Sequence, residues 1–254
     1  MTHVTIVTGA SRGIGNAIAR IILEKGTSNK VVAVARSGNA LKQLAEDFGA
    51  DRVEIVVGDV TDPETSKKAV ELAVSKFGQL NSVIANAGVL EPVGTIEQIE
   101  ISDWKKLYDV NFFSIVQLVK VSLKELRKTK GNVLAVSSGA SVKAYSGWHA
   151  YGSSKAALNH FISSVAAEEK DISALSIAPG VVATSMQQDI REKFGQNMEP
   201  DALKKFVDLH KNNELLAPEV PATVYANLAL QGWSKDIDGK YLRFDDKILS
   251  SYAQ

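Results

Sequence analysis

"VTGASRGIGNAIA", residues 7–19, places three glycines and an arginine between an apolar run and a run of helical period. Upstream, "VTIVT" reads as a buried strand; downstream, "NAIARIILEK" repeats its apolar residues at helical spacing. In that setting Gly9 permits a tight turn. Gly13 and Gly15 leave bare backbone at the amino end of a helix, where unpaired N–H groups favour an anion. Strand, glycine-rich turn and helix in this order form a corner suited to the pyrophosphate of a dinucleotide, with Ser11, Arg12 and Ile14 in the turn. The spacing is G-x-x-x-G-x-G rather than G-x-G-x-x-G, and purely structural turns also use glycine, so the stretch alone leaves both readings open.

Working outward, the same alternation repeats along the chain. "KVVAVAR" leads to a helix around 41–48, "RVEIVVGDV" to one over 63–77, and "NSVIANAG" to a long helical stretch over 102–128. "NVLAVSS" leads to a helix over 149–170, "ISALSIAPG" is the next strand, and a last one lies near "KYLRF". Strands apolar on both faces, joined by helix-length connectors, predict parallel pairing through right-handed crossovers. The expected fold class is α/β: one Rossmann-type doubly wound parallel sheet of about seven strands over residues 1–254, with helices on both faces. Residues 183–216 are polar and helix-prone without a strand signal and are expected to be an excursion over the sheet.

Composition narrows the function. The 254 residues are 45% hydrophobic and 23% charged, as in ordinary globular proteins, and no apolar run is long enough to span a bilayer. Twenty-nine basic residues balance 29 acidic ones without clustering, which argues against a nucleic-acid partner. Cysteine is absent, excluding disulfides and thiolate chemistry. His3, His149, His160 and His210 show no metal-ligand spacing, and no metal is expected. No signal-peptide pattern begins the chain and no organelle address ends it; the expectation is a cytoplasmic protein without a membrane partner.

The charge in the opening turn acquires a meaning at the end of the second strand. A free ribose 2′-hydroxyl is usually met there by an acid, but "VVAVARSGN" offers Arg36 and Ser37. Together with Arg12, Arg36 can clasp a 2′-phosphate, which points to NADP(H); the alternative is two solvated arginines. Further on, "SSGASVKAYSGWHAYGSSKAAL", residues 137–158, sets Tyr151 and Lys155 four apart on one helix face. A nearby ammonium is expected to lower the phenol from about 10 toward a working acid, and Ser138, at a strand end, to hold a carbonyl oxygen beside it.

Taken together these motifs resemble the short-chain dehydrogenase/reductase family. In order they are "TGASRGIG" at 8–15, "DV" at 59–60, "NAG" at 86–88, Asn111, Ser138, "YGSSK" at 151–155, and "PG" at 179–180 followed by Thr184. Within the family the detailed match is to the sepiapterin reductase and benzil reductase branch, including fungal oxidoreductases. The resemblance implies that Asp59 and Val60 lie by the adenine and that Asn86, Ala87 and Gly88 support the central ribose. It implies that Lys155 holds the nicotinamide ribose and that Pro179, Gly180, Val182 and Thr184 flank the carboxamide. Asn111 would retain a water relaying protons from Lys155. The "DIDGKYLRFDD" ending departs from the family's usual carboxyl-terminal pattern.

The implied activity is NADPH-dependent reduction of a small-molecule carbonyl, with Tyr151 as acid. Leu90, Val142, Tyr145, Trp148 and Met186 flank the site in sequence, and Tyr145, Trp148 and Met186 are the candidate pocket residues for an apolar or aromatic ketone such as a 1,2-diketone. Each is equally readable as core. Two other classes share parts of the pattern: an NADP(H)-binding sensor without turnover, and a relative of the sugar-nucleotide epimerases and dehydratases, for whose substrate domain the chain is short. The stretches 107–126 and 156–169 are apolar on more than one stripe, which predicts a homo-oligomer, dimer or tetramer, packed through these helices.

Overall fold

The computed structural model describes residues 2–254. Six strands and the helices between them follow the predicted alternation: β1 (His3–Thr8), α1 (Gly13–Glu24), β2 (Asn29–Ala35), α2 (Gly38–Phe48), β3 (Val53–Val57), α3 (Pro63–Phe77), β4 (Ser82–Ala85), α4 (Ile101–Tyr108), α5 (Ser114–Thr129), β5 (Asn132–Val136), α6 (His149–Glu168) and β6 (Ser173–Ala178). The chain continues through α7 (Ser185–Glu192), α8 (Pro200–Lys211) and α9 (Glu219–Gln231) to a short β7 (Tyr241–Arg243). All seven strands run parallel in the order β3-β2-β1-β4-β5-β6-β7.

Local chemistry explains the boundaries. In α3, the Asp62 side chain accepts from the Glu64 N–H at 3.0 Å, Pro63 occupies the first turn, and Gly78 ends the helix at φ +83°. The inner strands β1, β2, β4, β5 and β6 are buried on both faces, so the sheet packs two helical layers. Helices α1, α2 and α9 cover one face through Ile18, Ile22, Leu41, Leu44 and Leu228; α3, α5 and α6 cover the other through Val70, Leu118, Leu126, Leu158 and Ile162. Each such side chain contributes roughly 1.5–3 kcal/mol on burial. Tyr225, fully buried on α9, donates its hydroxyl to the Ile177 carbonyl at 2.6 Å and so anchors that helix to β6.

One expectation is revised. The stretch read as one helix over 102–128 is interrupted: Asp109–Phe113 forms a π-helical turn between α4 and α5, widening the backbone around Asn111. The excursion at 183–216 is ordered into α7 and α8, and a parallel bridge between Val182 and Leu216 ties its two ends together. Helical period was present there, but its apolar residues serve neither sheet face. They join Leu90, Leu107, Trp148 and Tyr151 in a third cluster that includes Ile190, Phe194 and Phe206.

Candidate active site

The strand order reverses at β1: the chain runs outward to β2 and β3, then returns to place β4 on the other side of β1. In an open parallel sheet, this leaves a crevice beyond the strands' carboxyl ends. The glycine-rich turn after β1 and the Asn86–Gly88 segment after β4 meet there. Asn86 donates its side-chain amide to the Thr8 carbonyl at 2.9 Å, and the Thr8 hydroxyl accepts from the backbone N–H groups of Asn86 and Ala87 at 3.0 and 3.1 Å. The fit is close enough to require bare backbone: a Cβ at Gly15 would stand 2.4 Å from both the Gly9 carbonyl oxygen and Asn86 Nδ2. Gly9 itself has φ +67°. The amino end of α1, with no side-chain cap on its first N–H groups, opens onto this crevice. Such a cradle suits a pyrophosphate.

Arg12 and Arg36 lie exposed at the turn and at the end of β2, and neither forms an ion pair among the described residues. Asp59 is held below its ordinary pKa chiefly by the backbone N–H of Thr61, with the Thr61 hydroxyl and the charge of Arg36 adding to the effect. Ser37 starts α2, and Val60 is half-buried against the core. On the opposite side of the crevice, Pro179 and Gly180 follow β6. The Thr184 methyl comes 3.2 Å from the position a Gly13 Cβ would take, so the start of the excursion closes over the glycine turn.

The catalytic candidates converge beside this crevice. Ser138 stands just past β5, where its hydroxyl accepts from the Ala140 N–H at 3.1 Å and its carbonyl is held by Ser141 at 2.6 Å and Tyr241 at 3.2 Å. Tyr151 and Lys155, on the first turns of α6, are 8% and 3% exposed. Lys155 donates to the Val136 carbonyl at 2.8 Å and stands 6.0 Å from the centre of the Tyr151 ring. Burial pushes the ammonium down to about 8. Burial pushes the Tyr151 phenol up, and its hydrogen bond with Ser138 opposes the rise. This corrects the expected lowering of the phenol by Lys155: burial is the larger effect and the net shift is upward, so the phenol stays protonated at neutral pH.

Asn111 is completely buried, and the π-helical turn delivers its amide to the loop after β4. It accepts from the Val89 N–H and donates to the Val89 carbonyl, both at 2.8 Å, and reaches the Ser154 hydroxyl at 3.3 Å. Gly88 sits between the two polar groups; a Cβ there would be 3.4 Å from Asn111 Oδ1 and 3.6 Å from Lys155 Nζ. The side chain therefore positions the 86–89 segment against Lys155.

Over the phenol lies the third apolar cluster. Trp148 meets the Tyr151 ring edge-on, with centroids 5.8 Å apart, and stacks on Phe206 of α8 at 5.5 Å; Tyr145 packs on Trp148 at 5.0 Å, and Met186 and Leu90 join them. Val142 does not: it is 71% exposed, because the turn after β5 directs it outward. Sequence reading missed Thr8, Ser154, Gln187 and Phe206. Only Thr8 carried a signal, as a hydroxyl ending an apolar strand. Among the described residues no group of side chains could hold a metal, and no helix is long and apolar enough to cross a membrane.

A glycine cradle at the sheet's switch point, with Ser138, Tyr151 and Lys155 beside it, defines an oxidoreductase built to work with a nicotinamide cofactor. The chain belongs to the short chain dehydrogenase family, whose profile matches residues 3–195. It is 49% identical over 253 residues to an uncharacterised oxidoreductase of Saccharomyces cerevisiae, with 99% of each chain covered. It is 47% identical over 258 residues to a benzil reductase of the same yeast, the (S)-benzoin-forming enzyme, with 98% of each covered. The crystal structure of the KRED1-Pglu enzyme superposes with a TM-score of 0.93 at 57% identity, covering 94% of this chain and all of that one.

Proposed function

We propose that this protein is an NADPH-dependent carbonyl reductase of the cytoplasm that converts an apolar or aromatic ketone, such as a 1,2-diketone, to the alcohol. The observation that carries the reading is the gathering of the buried Tyr151 phenol, Lys155 and Ser138 at one strand end beside the dinucleotide cradle. The similarity to a benzil reductase supports the substrate class. The cofactor, when bound, supplies a hydride to the carbonyl carbon. The Ser138 hydroxyl holds the carbonyl oxygen, and Tyr151 delivers its phenolic proton to that oxygen, completing the alcohol. Lys155, fixed by its bond to the Val136 carbonyl and lying beside Gly88, binds the ribose and keeps a positive charge near the phenolate that forms. Gly9, Gly13 and Gly15 admit the pyrophosphate, and Arg12 and Arg36 take the 2′-phosphate.

A turnover-free sensor has no need of a serine, a tyrosine and a lysine gathered at one strand end, and it is disfavoured on that ground. The test is NADPH or NADH oxidation with a panel of aromatic diketones, quinones and aliphatic ketones. Oxidation of NADPH, faster than of NADH, by an aromatic diketone supports the reading; binding of NADPH with no turnover across the panel overturns it. We further propose that α5 and α6 pair with a second copy of the chain, for which Phe113, 55% exposed just ahead of α5, is an unburied apolar anchor. A monomer in sedimentation at micromolar concentration contradicts this.

A further inference from the structure

Trp148 carries a polar group that the site described so far does not use. The residue is 6% exposed, yet its indole Nε1 has no hydrogen-bond partner. A buried indole N–H normally finds an acceptor, and leaving it unpaired carries the cost of its desolvation. Gln187 of α7 reaches toward the Phe206 carbonyl at 3.5 Å and leaves its own Oε1 equally unpaired, so the two do not satisfy each other across Phe206. The other buried side-chain atoms without partners belong to Thr5, Asn132, Ser176 and Asn227, in the strands and α9. Trp148 is thus the orphan donor in direct contact with the proposed acid.

Its position is specific. Trp148 immediately precedes α6, three residues before Tyr151, and the two rings meet edge-on at 5.8 Å. Resting on the reductase reading above, we propose that the Trp148 indole N–H is a specificity-determining donor that binds the second oxygen of a vicinal dicarbonyl while the first rests on Ser138 and Tyr151. The two oxygens of such a substrate sit on adjacent carbons, so a donor for the second has to come from a group touching Tyr151. Phe206, stacked on the indole, holds the ring that carries this donor in the apolar cluster over the phenol. A monoketone leaves the buried donor unpaired and is discriminated against for that reason.

Two ketones with the same pair of phenyl rings isolate the contact: benzil, and deoxybenzoin, which lacks the second oxygen. Wild-type protein is expected to favour benzil in kcat/KM. Trp148→Phe should lower kcat/KM for benzil by about tenfold or more, while deoxybenzoin changes less than about threefold. If Trp148→Phe does not fold, the indole N–H proton signal replaces it as the readout, measured in Tyr151→Phe protein holding NADPH and assigned by Trp104→Phe and Trp233→Phe. That signal should move downfield with benzil and not with deoxybenzoin. Equal losses on the two ketones, or a signal unmoved by benzil or moved alike by both, overturns the role of Trp148. Wild-type protein that oxidises NADPH with neither ketone overturns the reductase reading itself.

Discussion

Gly15→Ala tests whether the turn after β1 is a cradle by necessity. Gly15 lies within α1, where alanine is intrinsically favoured over glycine by roughly 0.5–1 kcal/mol, so propensity alone predicts a gain. The local geometry predicts the opposite. The added methyl would stand 2.4 Å from the Gly9 carbonyl oxygen and from Asn86 Nδ2, and 2.9 Å from the Gly9 carbonyl carbon. Non-bonded contacts of this kind settle near ~3.5 Å, so the overlap is about 1 Å on two sides. Two of the three clashing atoms are backbone, and Asn86 is fixed by the Thr8 carbonyl at 2.9 Å; relief has to come from moving the turn. Overpacking costs ~1–3 kcal/mol, leaving a net loss of about 0.5–2 kcal/mol and a fall in Tm of roughly 1–8 °C. Because the displaced atoms form the cradle, NADPH affinity should drop about tenfold or more by titration calorimetry. Gly139→Ala is the control: nothing lies within 4 Å of its Cβ position, and its Tm should move by less than ~2 °C. A Gly15→Ala protein that melts at or above wild type and binds NADPH unchanged refutes the reasoning.

Arg36→Leu should reduce kcat/KM with NADPH by roughly tenfold to a hundredfold while leaving NADH nearly unchanged, since the contact at stake is one charge-assisted hydrogen bond to the 2′-phosphate; an unaltered NADPH-to-NADH ratio removes Arg36 from that site. Lys155→Met should stop turnover yet raise the melting temperature of the cofactor-free protein at pH 7. The buried ammonium titrates at about 8 instead of 10.5, so the folded state holds its proton less well than the unfolded one. The resulting penalty, about 3 kcal/mol before the lost bond to Val136 is subtracted, is fully present below pH 8 and disappears as pH rises through 10.5. The stability difference between Lys155→Met and wild type should therefore shrink over that window in denaturant titrations, and a difference independent of pH contradicts the assignment.

Most of the sheet was legible because its signals are local and redundant. Double-sided apolar strands, a glycine turn and helical connectors each point to the same topology, and "YGSSK" places two chemical groups on one helix face without any need of tertiary detail. The π-helical turn was not legible: "DVNFFSIV" has helical period on both sides of Asn111, and the reason for the break is a partner, Val89, 22 residues upstream. Phe206 and Gln187 escaped for the same reason. Their amphipathic segments looked like a surface excursion because the face they bury belongs to Trp148 and Tyr151 rather than to the sheet. The direction of the Tyr151 shift was misread because sequence spacing reports the ammonium's proximity and says nothing of burial, which here is the larger effect. Val142, adjacent in sequence to the pocket residues, faces solvent, since a turn alternates directions faster than a helix does.

The central claim is that the Tyr151 phenol delivers the proton to the reduced carbonyl. The most direct measurement is NADPH oxidation with benzil by wild-type and Tyr151→Phe protein, alongside NADPH titration of both. The ring and its packing on Trp148 survive the substitution, and only the acid is lost. Turnover should fall by roughly 10²–10⁴-fold, the range supplied by a positioned general acid, with NADPH affinity within about twofold. Turnover by Tyr151→Phe within a few-fold of wild type contradicts the account and moves the acid to another group.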